Sequence, residues 1–232
     1  QRFSESRPLI ERAVRIFEAA PGDAAIAASA RMALSMLAFE TGRHDEAIAL
    51  AETSLADMRA ASGAQSVDVA SVLSVLAGYA QESGDLDGAA AYAKDSIATF
   101  DVIAPQSRER LRALSLFGRI RQDQDQLAAA ESVHRDVLAQ LTSRYGPENA
   151  QLEPALADLG ATLFARGDYA GAVELFERAV TIVDTAAGRD AATAFAARTG
   201  AVEDQAQARA GLYDLLIETY YRLATADPSL AA

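Results

Sequence analysis

The feature that most restricts this sequence is a pattern of small and large residues that recurs about every 42 residues. Its turn positions are Gly42, Gly84, Asp125 and Gly167, at steps of 42, 41 and 42 residues. An apolar residue lies eight positions before each turn: Leu34, Leu76, Phe117 and Leu159. A small residue lies seven before, and an alanine five after: Ser35, Ala77, Gly118, Gly160, then Ala47, Ala89, Ala130, Ala172. Columns that agree at one period indicate a structural repeat.

Each repeat has the pattern of two helices joined by a tight turn, shown most clearly by residues 156–180, LADLGATLFARGDYAGAVELFERAV. Apolar residues recur at helical spacing on both sides of Gly167, where glycine allows the backbone to turn. Gly160 is expected to face Ala172, so that the missing side chain lets the two helices pack closely.

This spacing resembles the tetratricopeptide (TPR) repeat, and its length resembles the kinesin-light-chain form of that repeat, which exceeds the usual 34 residues. The resemblance implies an all-α solenoid of helical hairpins, about 11 helices wound as a right-handed superhelix. It also implies a non-enzymatic scaffold that binds other proteins.

The periodicity predicts helices over 8–20, 24–41, 44–61, 66–83, 86–103, 106–123, 126–145, 149–166, 169–186, 189–199 and 203–226. Residues 1–186 form the predicted array: a half repeat at 1–22 and full repeats at about 24–63, 66–104, 106–145 and 148–186. Residues 187–232 are interpreted as a degenerate repeat and a long C-terminal helix that leads to a missing downstream domain.

Three local features carry expectations of their own. Residues 3–20 align with residues 169–186, so the array is expected to begin with the second helix of a repeat. Proline is accepted in a first helical turn and rarely later, so this helix is expected to start only at Pro8. Asp125, standing where the other repeats have glycine, is expected to alter its turn slightly without loss of the repeat.

The composition of the chain disfavours several classes of binding partner. The chain has 33 acidic and 21 basic residues and a net charge of -12, which disfavours nucleic acid as a partner. No apolar run is long enough for a membrane span, so no membrane partner is expected. The two histidines, His44 and His134, lack metal-ligand spacing, and no metal or cofactor is expected. We expect a cytoplasmic protein, with the periplasm as the alternative compartment.

In TPR arrays the first helices of the repeats line a concave groove. The register predicts a groove that is apolar at both ends and cationic in the middle, lined by Met32, Met36, Phe39, Ser74, Gly78, Gln81, Arg112, Ser115, Arg119, Ala157, Ala161 and Phe164. The expected ligand is a short acidic segment with one or two hydrophobic anchors. The alternative is that the arginines only solvate an exposed helix.

The C-terminal helix has an apolar arc that is too wide for one packing partner, because Tyr213, Ile217, Tyr220 and Tyr221 extend it beyond a single stripe. We expect these four residues to form an interface with a downstream domain or a second chain. The run LYDLLIETYYRLATADP resembles the junction between TPR repeats and a CHAT domain, a caspase-like cysteine peptidase, in bacterial proteins. The chain has no cysteine, so no catalytic residue is transferred to it.

Together these patterns favour a scaffold that binds a peptide or helix of a partner, as the regulatory or targeting part of a TPR-CHAT protein. The alternative is a module for self-assembly through the tail or the ends of the array.

Overall fold

A computed structural model describes residues 2–19, 24–185 and 202–226, with side chains in the two outer segments described at 7–16, 210–223, 225 and 226. The helices are α1 Arg2–Ala19, α2 Ala24–Glu40, α3 His44–Ser62, α4 Val67–Ser83, α5 Leu86–Ile103, α6 Arg108–Asp123, α7 Leu127–Tyr145, α8 Glu153–Ala165, α9 Tyr169–Asp184 and α10 Val202–Ala226. A 3-10 turn, Ala150–Leu152, precedes α8. These segments contain no strand, so the predicted all-α class is confirmed. The helix predicted over 189–199 lies outside the described residues.

The chain divides into two compact units, Gln1–Gln124 and Asp125–Ala232. The first contains α1 to α6, and the second contains α7 to α10. Within the first unit, α2 packs with α3 and α4 packs with α5, as the hairpins predict. Within the second unit, α8 packs with α9, and α10 packs against α9.

The turn inside each repeat follows from a backbone that is left-handed at one residue. Gly42, Gly84 and Gly167 have φ of 76°, 86° and 83°. Asp125 has φ of 59° and is the one non-glycine residue with positive φ among the described residues. The expected altered turn is therefore a correction: Asp125 adopts the conformation of the glycines, which aspartate tolerates better than most residues.

Helix starts are also encoded locally, because two of the second helices, α5 and α9, follow an aspartate. The Asp85 side chain accepts a hydrogen bond from the Gly88 backbone N–H at 3.0 Å, and Asp168 accepts one from Gly171 at 3.0 Å. Each bond satisfies a backbone donor that the first turn of a helix leaves unpaired.

Buried serines join the two helices of each hairpin in the first unit. Ser54 in α3 donates a hydrogen bond to the Ala28 carbonyl in α2 at 2.7 Å. One repeat later, Ser96 in α5 donates to the Ala70 carbonyl in α4, also at 2.7 Å. The same hydrogen bond therefore recurs at equivalent positions of successive repeats, as the sequence register predicts.

The helices α8 and α9 approach each other closely at Gly160. The nearest atoms to a Cβ built on Gly160 belong to the ring of Phe176, at 2.7 to 3.0 Å. The residue nearest to that position is therefore Phe176, one helical turn beyond the expected Ala172. The missing side chain accommodates a buried aromatic ring, around which Leu156, Leu159 and Ile182 complete the core.

The sequence predicted that α1 starts at Pro8, and this is wrong. The helix begins at Arg2 and contains the proline. An internal proline lacks the N–H that would bond the carbonyl four residues earlier, and its ring crowds that carbonyl. The packing of α1 on α2, in which Val14 is buried, stabilises the helix against this cost.

Candidate partner-binding surfaces

The first helices α2, α4 and α6 of the first unit lie side by side, and we call the surface they share the first-helix face. Between α2 and α4, the rings of Phe39 and Tyr79 are stacked, with centroids 4.0 Å apart and planes 11° apart. Between α4 and α6, the Gln81 amide donates a hydrogen bond to the Asp123 carboxylate at 2.6 Å. Side-chain contacts therefore link α2 to α4 and α4 to α6.

Several residues that the sequence placed in the groove are used inside the protein instead. Met32 is only 9% exposed and belongs to the core of the first unit. The Ser74 hydroxyl is hydrogen-bonded to Ser96 at 2.7 Å. Phe39 and Gln81 are half-buried and take part in the contacts between helices. For Met32 the expectation of a groove position is corrected, because its side chain packs inward.

Three equivalent positions form the open row of the first-helix face. Met36 is 54% exposed in α2, and Arg119 is exposed in α6. Between them in the register, a Cβ built on Gly78 in α4 would meet nothing within 4 Å. The row therefore runs from a thioether to a bare backbone notch to a guanidinium group.

The arginines of α6 differ in their exposure to solvent. Arg110 forms an ion pair with Asp101 of α5 at 2.5 Å, and the Arg121 guanidinium lies 4.6 Å from the centroid of the Phe117 ring. The first contact joins α6 to α5, and the second lies within α6. Arg112 and Arg119 are exposed, with half-buried Ser115 between them.

Sequence reasoning missed Arg108, which is also exposed and lies one turn before Arg112. Positions four and seven residues apart share one side of a helix, so Arg108, Arg112 and Arg119 form a cationic stripe along α6. The four-residue spacing was the available signal.

Carboxylates mark one edge of the same face. Glu40, Glu82 and Asp123 are exposed and occupy the last turns of α2, α4 and α6. Burial raises the pKa of Tyr79, a hydrogen bond with Ser35 lowers it, and the nearby charges of Glu40 and Glu82 raise it further. The face is therefore bipolar, with carboxylates at the C-terminal ends of its helices and arginines along α6.

The remaining predicted groove residues lie in the second unit. The Phe164 ring contacts Tyr169 edge to face, with centroids 5.3 Å apart and planes at 65°. Ala157 and Ala161 are half-buried against the core of that unit.

The four tail residues fall into two pairs in α10. Tyr213 donates a hydrogen bond to Asp184 at 2.7 Å, and Tyr220 donates one to Glu177, so both hold α10 on α9. The bond to Glu177 raises the pKa of Tyr220. Ile217 and Tyr221 are 66% and 63% exposed and one turn apart. Tyr220 is 44% exposed, so Ile217 and Tyr221 are the most exposed of the four.

Comparison with known families decides what this architecture is. Residues 26–101 and 109–185, more than half of the chain, match the family model of the tetratricopeptide repeat. The chain belongs to the TPR family. The assignment made from the sequence pattern is confirmed, and the fold supports a protein-interaction scaffold.

Solved structures show the same TPR-like fold at low sequence identity. BtubC (BKLC) from P. vanneervenii is 18% identical, with a TM-score of 0.70 over 98% of this chain and 93% of that one. A candidate kinesin light chain from Podosopora anserina with nearly identical TPR-like repeats is 19% identical, with a TM-score of 0.61 over 86% of this chain and 96% of that one.

Aspartyl phosphate phosphatase F from Bacillus subtilis is 15% identical, with a TM-score of 0.69 over 94% of this chain. The TPR chain covers only 51% of that protein. Among curated proteins, none matches the sequence.

The described part of the TPR chain offers no site for a metal ion, because no three His, Asp or Glu side chains are grouped suitably there. His44 packs edge to face against Phe39, with centroids 4.7 Å apart, and His134 is buried. In that same part of the chain, no helix is both long and apolar enough to cross a bilayer.

Proposed function

We propose that this TPR protein binds a short acidic segment of a partner protein on the first-helix face of its first unit. The observation that carries the proposal is the row of Met36, Gly78 and Arg119 at equivalent positions of three adjacent helices. A large apolar side chain of the partner would lie against Met36 and enter the notch at Gly78. An acidic side chain next to it would reach the arginine.

The cationic stripe on α6 supplies the polar half of recognition. Arginine forms paired hydrogen bonds with a carboxylate, and such charge-assisted bonds contribute roughly 1.5–3 kcal/mol each. Arg108 and Arg112 extend the stripe from Arg119 over about three turns of helix. A segment with two or more acidic residues can therefore be held along α6 while its anchor occupies the notch.

The charge of the whole chain does not prevent this binding. The net charge of -12 repels an acidic ligand at long range. Charges are screened beyond roughly 8–10 Å at physiological salt, so contacts at the stripe decide affinity. The carboxylates Glu40, Glu82 and Asp123 act locally and direct the acidic part of the ligand away from the C-terminal ends of the helices.

The experiment is a selection from a random-peptide phage library, followed by fluorescence anisotropy with the selected peptides. We expect them to be rich in Asp and Glu around one or two large apolar residues. The double variant Arg112→Ala, Arg119→Ala should bind them at least tenfold more weakly with a similar melting temperature. A matched control, Arg15→Ala with Arg59→Ala, removes two exposed arginines from second helices and should bind normally.

A selection without acidic enrichment, or equal loss of affinity in both double variants, would contradict the proposal. Equal loss would mean that the arginines act only through the overall charge. In that case the arginines would only solvate an exposed helix, as the alternative interpretation of the sequence holds.

We also propose that the TPR part regulates or targets an effector domain, which the tail resemblance suggests is a CHAT peptidase. The support is the run LYDLLIETYYRLATADP, which lies after the last matched repeat and whose residues 212–226 belong to α10. The coding sequence around these residues tests the idea. A caspase-like domain with a His and Cys pair is expected after the tail, and a gene that encodes no such domain would remove this part of the proposal.

A further inference from the structure

The charged residues of the first-helix face lie along two lines that meet at the C-terminal end of α6. One line is the cationic stripe, which runs along α6 from Arg108 to Arg119. The other line crosses the last turns of three helices and consists of the exposed carboxylates Glu40, Glu82 and Asp123. The two lines form the arms of an L, with basic groups on one arm and acidic groups on the other.

The two arms have similar lengths. Arg108 and Arg119 are 11 residues apart, which corresponds to about 16 Å at the helical rise of about 1.5 Å per residue. The stacked rings of Phe39 and Tyr79 and the hydrogen bond from Gln81 to α6 show that the three helices are neighbours. Helices in contact have axes roughly 8–10 Å apart, so the carboxylate arm spans about 16–20 Å. The arginine arm of one molecule therefore has the length of the carboxylate arm of another.

An L of this kind is complementary to itself. When a second copy is turned over so that the two arms are exchanged, a two-fold axis bisects the L and relates the copies. Each arginine arm then lies along a carboxylate arm, with Arg112 opposite Glu40 and Arg119 opposite Glu82. Asp123, at the corner, lies near its own counterpart, and Arg119 of each copy, one turn away, offsets that repulsion. A symmetric contact of this kind closes at two copies.

Exposed apolar side chains also fall near each other in this arrangement. Met36 is 54% exposed and lies one turn before the carboxylate arm, in the helix farthest from α6. Val67 is 51% exposed and lies at the far end of α4 from the carboxylates, one helix from α6. Exchange of the arms converts a position near one arm's end into a position near the other's. Met36 of one copy is therefore brought close to Val67 of the second copy.

We propose that two copies of this chain form a symmetric dimer through their first-helix faces. The exchanged arms supply the charge complementarity, and Met36 with Val67 supplies apolar contact on both sides of the axis. The face is small for a protein interface, and exposed ion pairs are individually weak. The dimer should therefore be reversible, weakened by salt and populated at high protein concentration.

The dimer is a second use of the surface that the proposed function assigns to an acidic segment. The arginines that would hold such a segment are covered in the dimer, so binding of the segment and dimer formation should exclude each other. This competition rests on the proposed function. The dimer itself does not, because it needs no ligand.

The experiment is sedimentation velocity over a concentration series at low salt, with the 232-residue protein and three charge-reversed variants. The acidic-face variant carries Arg112→Glu and Arg119→Glu, and the basic-face variant carries Glu40→Arg and Glu82→Arg. The exchanged variant carries all four changes and keeps the net charge of -12.

A matched control separates the face from the overall charge. Arg15→Glu with Arg59→Glu changes the net charge as much as the acidic-face variant does, at exposed arginines of α1 and α3. Circular dichroism melting is measured for every variant. All reversed positions are exposed, so the fold should be retained.

We expect the wild type, the control and the exchanged variant to dimerise. The acidic-face and basic-face variants alone should dimerise at least tenfold more weakly, because like charges then oppose each other across the contact. An equimolar mixture of these two variants should form dimers, because every face then meets the opposite charge. A monomeric wild type would overturn the proposal, as would a monomeric exchanged variant or equal association of the control and the acidic-face variant.

The peptide selection tests the proposed function separately. A wild type that stays monomeric and still binds acidic peptides would overturn the dimer alone. A dimer that binds no acidic peptide would overturn the proposed function alone. If both hold, the selected peptides should convert the dimer to the monomer in the same sedimentation experiment.

Discussion

The ring of Phe176 occupies the space that a side chain on Gly160 would need. A Cβ on the glycine would lie 2.7 Å from a ring carbon of the phenylalanine, which is fully buried. Two helices of one hairpin approach each other at this point because one position has no side chain. The contact also explains why the repeat keeps a column of small residues, although the pattern alone could not say which residue opposes Gly160.

Gly160→Ala should destabilise the second unit by about 1–3 kcal/mol, the usual cost of overpacking a core. Gly78→Ala is the matched control in another first helix, where the new Cβ meets nothing within 4 Å. That change should stabilise by about 0.5–1 kcal/mol, because alanine is the better helix former. Urea unfolding measures both. Equal effects of the two changes would contradict the contact with Phe176, and Phe176→Leu should partly rescue Gly160→Ala.

The stability of variants at position 125 should follow how well each residue tolerates a left-handed backbone. Its φ of 59° is accessible to glycine, tolerated by aspartate and costly for a β-branched residue. Asp125→Gly should keep or increase stability, while Asp125→Val should lose more than about 1 kcal/mol. Chemical denaturation of the three proteins checks the order, and a valine variant as stable as the wild type would argue against a left-handed turn.

Glu153 should make stability depend on pH. Burial raises its pKa above the ordinary 4.5, and the charge of Asp158 raises it further. A carboxyl group with a raised pKa in the folded state is destabilising when ionised. That penalty is fully present above the folded-state pKa and disappears as pH falls toward 4.5.

Glu153→Gln should therefore raise Tm near neutral pH, and its advantage should shrink as pH is lowered. Glu148→Gln, at an exposed carboxylate nearby, is the control for the change in net charge. Melting curves from acidic to neutral pH measure both variants. An advantage of Glu153→Gln that is constant with pH would mean that ionisation of this side chain is not the cause.

Filling the notch at Gly78 should block the first-helix face without harming the fold. Gly78→Leu adds a side chain where a Cβ has open space, so the protein should melt no lower than the wild type. Selected acidic peptides should bind at least tenfold more weakly in an anisotropy titration. Unchanged affinity would mean that the apolar anchor of these peptides binds elsewhere. The role of the arginines would still be tested by the Arg112→Ala, Arg119→Ala variant.

Pro8→Ala should strengthen α1 alone. It restores a backbone donor inside the helix and removes the ring that crowds the preceding turn, and an internal proline costs about 3 kcal/mol relative to alanine. Hydrogen exchange followed by mass spectrometry should show slower exchange over 2–19 and no change over 169–184. Unchanged exchange in α1 would mean that packing on α2, rather than the proline, limits its stability.

Local chemistry let the sequence determine the hairpins, their turns and the family. Three signals act within a few residues: helical periodicity, glycine or aspartate at a left-handed turn, and aspartate before a helix. They can therefore be recognised in the sequence without knowledge of the fold. The bounds of α2 to α7 agree with the prediction within two residues. The stripe of Arg112 and Arg119 could be found for the same reason, since it needs only the geometry of one helix.

Tertiary packing decided which of the marked residues remain available. Met32 and Met36 are one turn apart in the same helix, yet one is in the core and the other faces solvent. Tyr213 and Ile217 are also one turn apart in one helix. Tyr213 is half-buried and hydrogen-bonded to Asp184 on α9, whereas Ile217 is 66% exposed. Burial depends on where the neighbouring helices lie, and residues far apart in the sequence fix that position. The periodicity of a single helix therefore identifies its faces, and only the packed repeats determine which face is left for a partner.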